Sequence, residues 1–204
     1  YDDIETHVTR IFGRRSMHLL IDLVYHSPLY IQFGDKMVNG WLDVLIIGDS
    51  SQGKSEATSM MQRHYCLGER VECKNATVAG LLGGLQQIGT RWFVSWGVIP
   101  THDRRLVILE EVKGAETTVL GKLTDMRSSG IAEIPKIERQ RCHARTRRIW
   151  VSNPRGSRQV ASFAFGVESV LDLMGSLEDV RRFDAAVVVA MNEVDYEALE
   201  RPKT

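Results

Sequence analysis

Cysteine is scarce in this chain, and the little there is forms no pattern. Cys66, Cys73 and Cys142 are odd in number and contain no C-x-x-C pair, which argues against a disulfide framework, a dithiol redox centre or a zinc site. They read as free cytosolic thiols. The six histidines are scattered, with no H-E-x-x-H or similar ligand spacing. No apolar run approaches the length of a membrane span, and the first residues are acidic and polar rather than those of a signal peptide. Net charge is also missing. The 26 basic and 26 acidic side chains cancel, so any attraction to nucleic acid must come from a local patch. Internal repeats, low-complexity tracts and linkers are absent as well. What remains is 43% hydrophobic and 25% charged, ordinary for 204 residues folded as one domain around one core. A soluble, intracellular, single-domain protein is expected, spanning residues 1–204.

Against this plain background one stretch stands out: Gly48-Asp49-Ser50-Ser51-Gln52-Gly53-Lys54-Ser55. It matches the phosphate-loop pattern G-x-x-x-x-G-K-[ST], and its context fits. Leu42, Val44, Leu45, Ile46 and Ile47 read as a buried strand entering the loop. Glu56 to Tyr65 reads as a helix leaving it, with Ala57, Met60, Met61 and His64 spaced for one face. Backbone N–H groups in such a loop, with the helix N-terminus behind them, suit polyphosphate oxygens. Lys54 is expected to neutralise the β- and γ-phosphates as a surface charge. The Ser55 hydroxyl is expected to ligate Mg²⁺. The chain is therefore expected to bind a nucleoside triphosphate.

A second feature supplies the carboxylates such a loop needs. Leu106-Val107-Ile108-Leu109 is an apolar run that ends in Glu110-Glu111. Beside a phosphate loop, Glu110 suits the water shell of Mg²⁺ and Glu111 suits polarisation of an attacking water. Asn153, at the end of the next apolar run, would lie between these two motifs and orient the water or the γ-phosphate. Arg181-Arg182-Phe183-Asp184 precedes the last run. Its arginines read either as a surface pair at a helix end, favoured by the helix dipole, or as a finger for a neighbouring subunit's nucleotide. Lys136, Arg139, Arg141, Arg145, Arg147 and Arg148 cluster in a short span, diluted by Glu133 and Glu138. This reads as a solvated hairpin or as a surface that follows a phosphate backbone.

The punctuation of the chain predicts an α/β fold. Ile4 to Tyr25 has helical periodicity broken near Gly13, and Gly34 to Gly40 reads as a loop. Buried strands are expected at Leu42–Ile47, Arg70–Cys73, Leu106–Leu109, Ile149–Val151 and Ala185–Ala190. A helix starts near Thr77, and another spans Ala115 to Arg127. Trp92, Phe93, Val94 and Trp96 suggest an inserted hairpin after a Gly83-Gly84 break, and Gly130 to Arg147 is a charged, extended excursion. Strands alternating with helices imply a five-stranded, mainly parallel sheet covered on both faces.

Taken in order, these motifs resemble an AAA+ ATPase and, more narrowly, the minichromosome maintenance (MCM) replicative helicases. That family writes its loop G-D-P-x-x-[AG]-K-S, against Gly48-Asp49-Ser50 through Gly53-Lys54-Ser55 here. Its W-V-x-E-A-G segment before the acidic strand resembles Trp92 to Gly97, and its N-A-R-T-S resembles His143 to Arg147. Its A-N-P is similar to Ser152-Asn153-Pro154, its S-R-F-D to Arg181 through Asp184, and its I-Y-G to Ile11-Phe12-Gly13. The chain departs from the family in having Glu110 for Asp, Ser50 for Pro and Arg181 for Ser. The resemblance implies a P-loop AAA+ core that hydrolyses ATP with Mg²⁺ in a hexameric ring around DNA. In that assignment Lys54, Glu111, Asn153 and Arg182 are catalytic, with Arg182 acting in trans, and Ser55 and Glu110 hold the metal. Lys136, Arg139 and Arg141 then face DNA, and the Trp92/Trp96 segment becomes either a pore insert or ordinary core. The resemblance also implies a motor core lacking the family's helical lid and N-terminal DNA-binding domains, placed in the nucleoid region or the nucleus. The alternatives are an AAA+ remodeller acting on protein, or an ATP-gated assembly module with weak hydrolysis.

Overall fold

The computed structural model describes residues 2–135 and 139–191. A short π-helical segment, Ile4–Thr9, precedes helix α1 (Arg15–His26), a hairpin of β1 (Tyr30–Phe33) and β2 (Lys36–Asn39), β3 (Asp43–Gly48) and α2 (Lys54–Tyr65). Next come β4 (Glu69–Glu72), α3 (Val78–Leu81), a hairpin of β5 (Gly83–Ile88) and β6 (Arg91–Trp96), α4 (Val98–Thr101) and β7 (Leu106–Glu110). The remainder is α5 (Thr117–Gly121), α6 (Thr124–Ser129), a hairpin of β8 (Ile131–Ile134) and β9 (Gln140–His143), β10 (Arg147–Ser152), α7 (Glu168–Met174), α8 (Leu177–Val180) and β11 (Ala185–Val189). Among the described residues no helix is long and apolar enough to cross a membrane.

Five strands form one sheet in the order β11-β3-β10-β7-β4, and every pairing in it is parallel. Parallel strands are joined by crossovers that place helices on both faces, so inner strands are apolar on both sides. The period of two then sorts their residues. Val44, Ile46, Leu106, Ile108, Ile149 and Val151 pack with Met17, Ile21 and Val24 of α1 and Ala57 and Met61 of α2. Leu45, Ile47, Val107, Leu109 and Trp150 face the other way, onto Leu120, Leu123, Met126 and Leu173. The expected α/β architecture with a sheet flanked by helices and with inserted hairpins is thus present.

Several local expectations need correction. Only β3, β7 and β10 are buried throughout or nearly so. β4 and β11 are partly exposed, because each is a sheet edge with a neighbour on one side. The Gly34–Gly40 stretch is not a loop: it supplies the turn at Gly34 (φ +58°) and the whole of β2, paired antiparallel to β1. Gly83 and Gly84 do not interrupt the chain but begin β5. The helix expected over Ala115 to Arg127 is two, α5 and α6, divided just after Gly121, a poor helix former. On α2, Ala57 and Met61 are buried as expected but His64 is exposed; Thr58 is buried in its place. Thr77 does cap a helix, accepting a hydrogen bond from Gly80 N at 3.1 Å.

At the amino end of the sheet lies a buried ionic knot. Asp43, the first residue of β3, pairs with Arg127 Nε at 2.7 Å and Arg148 Nε at 3.2 Å, and accepts from Trp150 Nε1 at 2.5 Å. Asp184 closes the knot by accepting from Asp43 N at 2.7 Å, while the Arg127 guanidinium lies 4.2 Å from the Phe183 ring centroid. Burial lowers the pKa of Arg148 and raises that of Asp184, so each charge depends on its partners.

Candidate functional site

The loop from Gly48 to Ser55 joins β3 to α2 at the carboxyl end of the sheet, where open parallel sheets usually hold ligands. Two backbone requirements explain its glycines. A Cβ on Gly48 would stand 2.0 Å from Val189 O, where β11 presses against the end of β3. Gly53 has φ +78°, a left-handed conformation that starts α2 without strain, and Ile11 packs over it. Asp49 is buried as a brace, accepting from Val160 N at 2.8 Å and Met191 N at 3.0 Å. Arg14 braces the other side, donating to Gln52 Oε1 and to Ala190 O.

Lys54 is not the surface charge expected. It is 6% exposed, and its ammonium donates to Gly48 O at 3.1 Å and Asp49 O at 2.5 Å. Burial, only partly offset by Asp49 and Glu111, lowers its pKa to about 8. The ammonium therefore already sits inside the loop, held by the carbonyls of Gly48 and Asp49.

Strand order brings the remaining candidates to the same place. β10 lies between β3 and β7, so Asn153 and Glu111 emerge beside the loop. Ser50 to Glu56, Glu111 and Asn153 line one open cleft of about 410 Å³. Asn153 Nδ2 donates to Ser50 Oγ at 2.9 Å, and Ser55 Oγ donates to Glu110 Oε2 at 2.7 Å. Glu110 is buried, whereas Glu111 is half-buried, with its carboxylate 3.5 Å from Lys113 Nζ. Glu111 has φ +53°, an uncommon conformation for a non-glycine residue and one that turns it away from the strand direction of Glu110. The hydroxyl of Ser55 and the carboxylate of Glu110 are hard oxygen donors of the type Mg²⁺ selects.

Other candidates lie elsewhere. Arg182 follows α8 and precedes β11, at the end of the sheet opposite the loop, and pairs with Glu178 at 3.4 Å. Asp184 N bonds Asp43 O, and the six-residue β3 separates that point from the start of the loop by about 17 Å. Lys136 lies outside the described residues. Arg139 and Arg141 are exposed on β9 and its approach, and both are held by Glu133 across the hairpin, Arg141 at 2.6 Å. The described members of the cation cluster read from the sequence do not form one surface. Arg145 is bound to Asp103 at 2.6 Å, Arg147 donates to Ser27 O at 2.5 Å, and Arg148 is fully buried on Asp43. These three are fixed by the packing of β10 and the turn before it. In the β5–β6 hairpin the aromatics divide: Trp96 packs on the core, while Trp92 and Phe93 remain about half exposed.

Sequence reading missed Arg70, Thr58 and Arg14. Arg70 Nη2 meets Glu110 Oε1 at 2.5 Å, and Thr58 Oγ1 donates to the same oxygen at 3.2 Å. Arg70 pairs in register with Ile108, so its side chain shares a face with Glu110 two residues on. The available signal was a lone arginine inside a predicted strand. Compared with known proteins, the sequence matches no family model and none of the curated proteins.

Proposed function

We propose that the chain is a P-loop NTPase core of the AAA+ type that binds and hydrolyses ATP and, in an MCM-like ring, drives movement along DNA. The observation that carries this reading is the convergence of Lys54, Ser55, Glu110, Glu111 and Asn153 around one cleft at the ends of three adjacent strands. Loop amides and the Lys54 ammonium hold the β- and γ-phosphates, and Lys54 exchanges two carbonyl partners for phosphate oxygens. Ser55 and Glu110 hold Mg²⁺, which supplies charge neutralisation to the phosphates. Glu111, solvent-accessible at the cleft, accepts the proton of the attacking water, and Asn153 fixes that water's orientation. Arg182, remote from its own loop, serves the adjacent subunit's γ-phosphate.

ATPase activity measured with and without DNA tests the reading. Turnover that DNA accelerates supports the motor; turnover indifferent to DNA rejects the DNA-linked part. The pairing of Arg139 and Arg141 with Glu133 favours, as the second reading, a remodeller of the same class acting on protein. Tight ATP binding with no turnover in either condition would instead identify an ATP-gated assembly module.

A further inference from the structure

A cation already faces the carboxylate assigned to the metal. Glu110 is buried and has three side-chain partners: Ser55 Oγ on one oxygen, with Thr58 Oγ1 and Arg70 Nη2 on the other. Arg70 also approaches Ser55 O at 3.4 Å and Thr58 Oγ1 at 3.5 Å, so its guanidinium lies against the first turn of α2, directly behind the loop. It comes from the edge strand β4 and remains about one-third exposed, so solvent reaches the guanidinium. Glutamate at this position is one methylene longer than aspartate, and the Arg70 contact holds the extra length against α2.

We propose that Arg70 is a positioning residue and internal counter-ion for Glu110, which must yield this carboxylate before Mg²⁺ is held, and so sets the Mg²⁺ demand of the site. The inference rests on the nucleotide-binding reading above. The physical reason is competition: a guanidinium at 2.5 Å neutralises the charge that attracts a divalent cation and occupies a lone pair on it.

The test titrates Mg²⁺ into protein holding a fluorescent ATP analogue and reads the half-saturating concentration for tight binding. Arg70→Gln should lower that concentration by about five-fold, the scale of one partly exposed ion pair. Arg70→Lys, which keeps the charge but loses the planar fork, should lower it less, and it carries the test if Arg70→Gln fails to fold. In a Glu110→Gln background, Arg70→Gln should have no effect. An unchanged or raised Mg²⁺ requirement in a folded Arg70 variant overturns the proposal. So does the same five-fold shift without Glu110, because Arg70 would then act through its general field. Failure of the wild-type protein to bind the analogue at any Mg²⁺ concentration removes the underlying nucleotide reading and this proposal with it. Normal analogue binding with an Arg70-independent Mg²⁺ response removes only this proposal.

Discussion

The Asn153 amide donates to the Ser50 hydroxyl across 2.9 Å, tying the end of β10 to the loop that follows β3. The two residues are far apart in sequence and meet only because β10 inserts between β3 and β7. In the proposed nucleotide-bound state a polyphosphate in the loop would lie beside this bond, which places Asn153 next to the occupied loop.

In the proposed site, Lys54 should make nucleotide affinity pH-dependent. Its pKa of about 8 in the free site reflects burial, and phosphate oxygens would raise it on binding. The charged form binds tighter, so affinity should be full below about pH 8 and fall as pH rises through that value, approaching tenfold per unit. Near pH 8, binding should take up about half a proton. Calorimetry in two buffers of different ionisation heat measures that uptake; none at pH 8 would show that Lys54 gains no charge when the loop is filled.

Glu111→Gln keeps side-chain size and removes the base. ATP should bind with wild-type affinity, and turnover should drop by roughly 10²–10⁴-fold, the usual contribution of a general base. Single-turnover hydrolysis separates the two effects. Near-normal turnover would move the base to Glu110.

Arg182→Ala and Lys54→Ala should each be inactive alone, with the arginine contributing about 10³–10⁵-fold in rate. Mixed together, they should recover part of the ATPase activity, because some interfaces then pair an intact loop with an intact arginine. A mixture that stays inactive, although native mass spectrometry shows mixed oligomers, leaves Arg182 as a helix-end charge paired with Glu178.

Gly48→Ala tests the packing of the loop against β11. The added Cβ would lie 2.0 Å from a backbone oxygen, and backbone cannot step aside as a flexible side chain can. Destabilisation of about 3 kcal/mol or more is expected, at the upper end for overpacking, which lowers the melting temperature by roughly 6–12 °C for a chain of this size. A melting temperature within 2 °C of wild type (roughly the shift from 1 kcal/mol or less) would contradict the close approach of β3 and β11.

The central strands, the loop and the paired glutamates were legible in the sequence because each is a local pattern. Val44 to Ile47 and Leu106 to Leu109 are unbroken apolar runs, and the loop is a fixed spacing of glycines, lysine and serine. What escaped depends on which strands are neighbours. Arg70 acquires a partner only because β4 pairs with β7, and nothing within either segment specifies that pairing. Arg148 was read as a surface charge because isolated arginines seldom enter cores. Its burial follows from Asp43, distant in sequence and adjacent across the β3–β10 pair. The β1–β2 hairpin was missed for the opposite reason: both strands are exposed, so they lack the one-sided apolar alternation that marks a strand.

The ionic knot around Asp43 has a mechanical consequence. β3 is clamped at one end by Arg127, Arg148 and Asp184 and ends at the other in the loop, so its two tips carry the two fixtures. Phe183 and Asp184 belong to the far fixture, and Arg182 is bonded to them along the chain. Because β3 is hydrogen-bonded along its length to β10 and β11, any displacement imposed at the loop would be shared by those strands before it reached Arg182 on the opposite side of the subunit. In the proposed ring, the loop of one subunit and the cation it offers to the next would then be joined through the paired strands of one sheet rather than through a flexible linker.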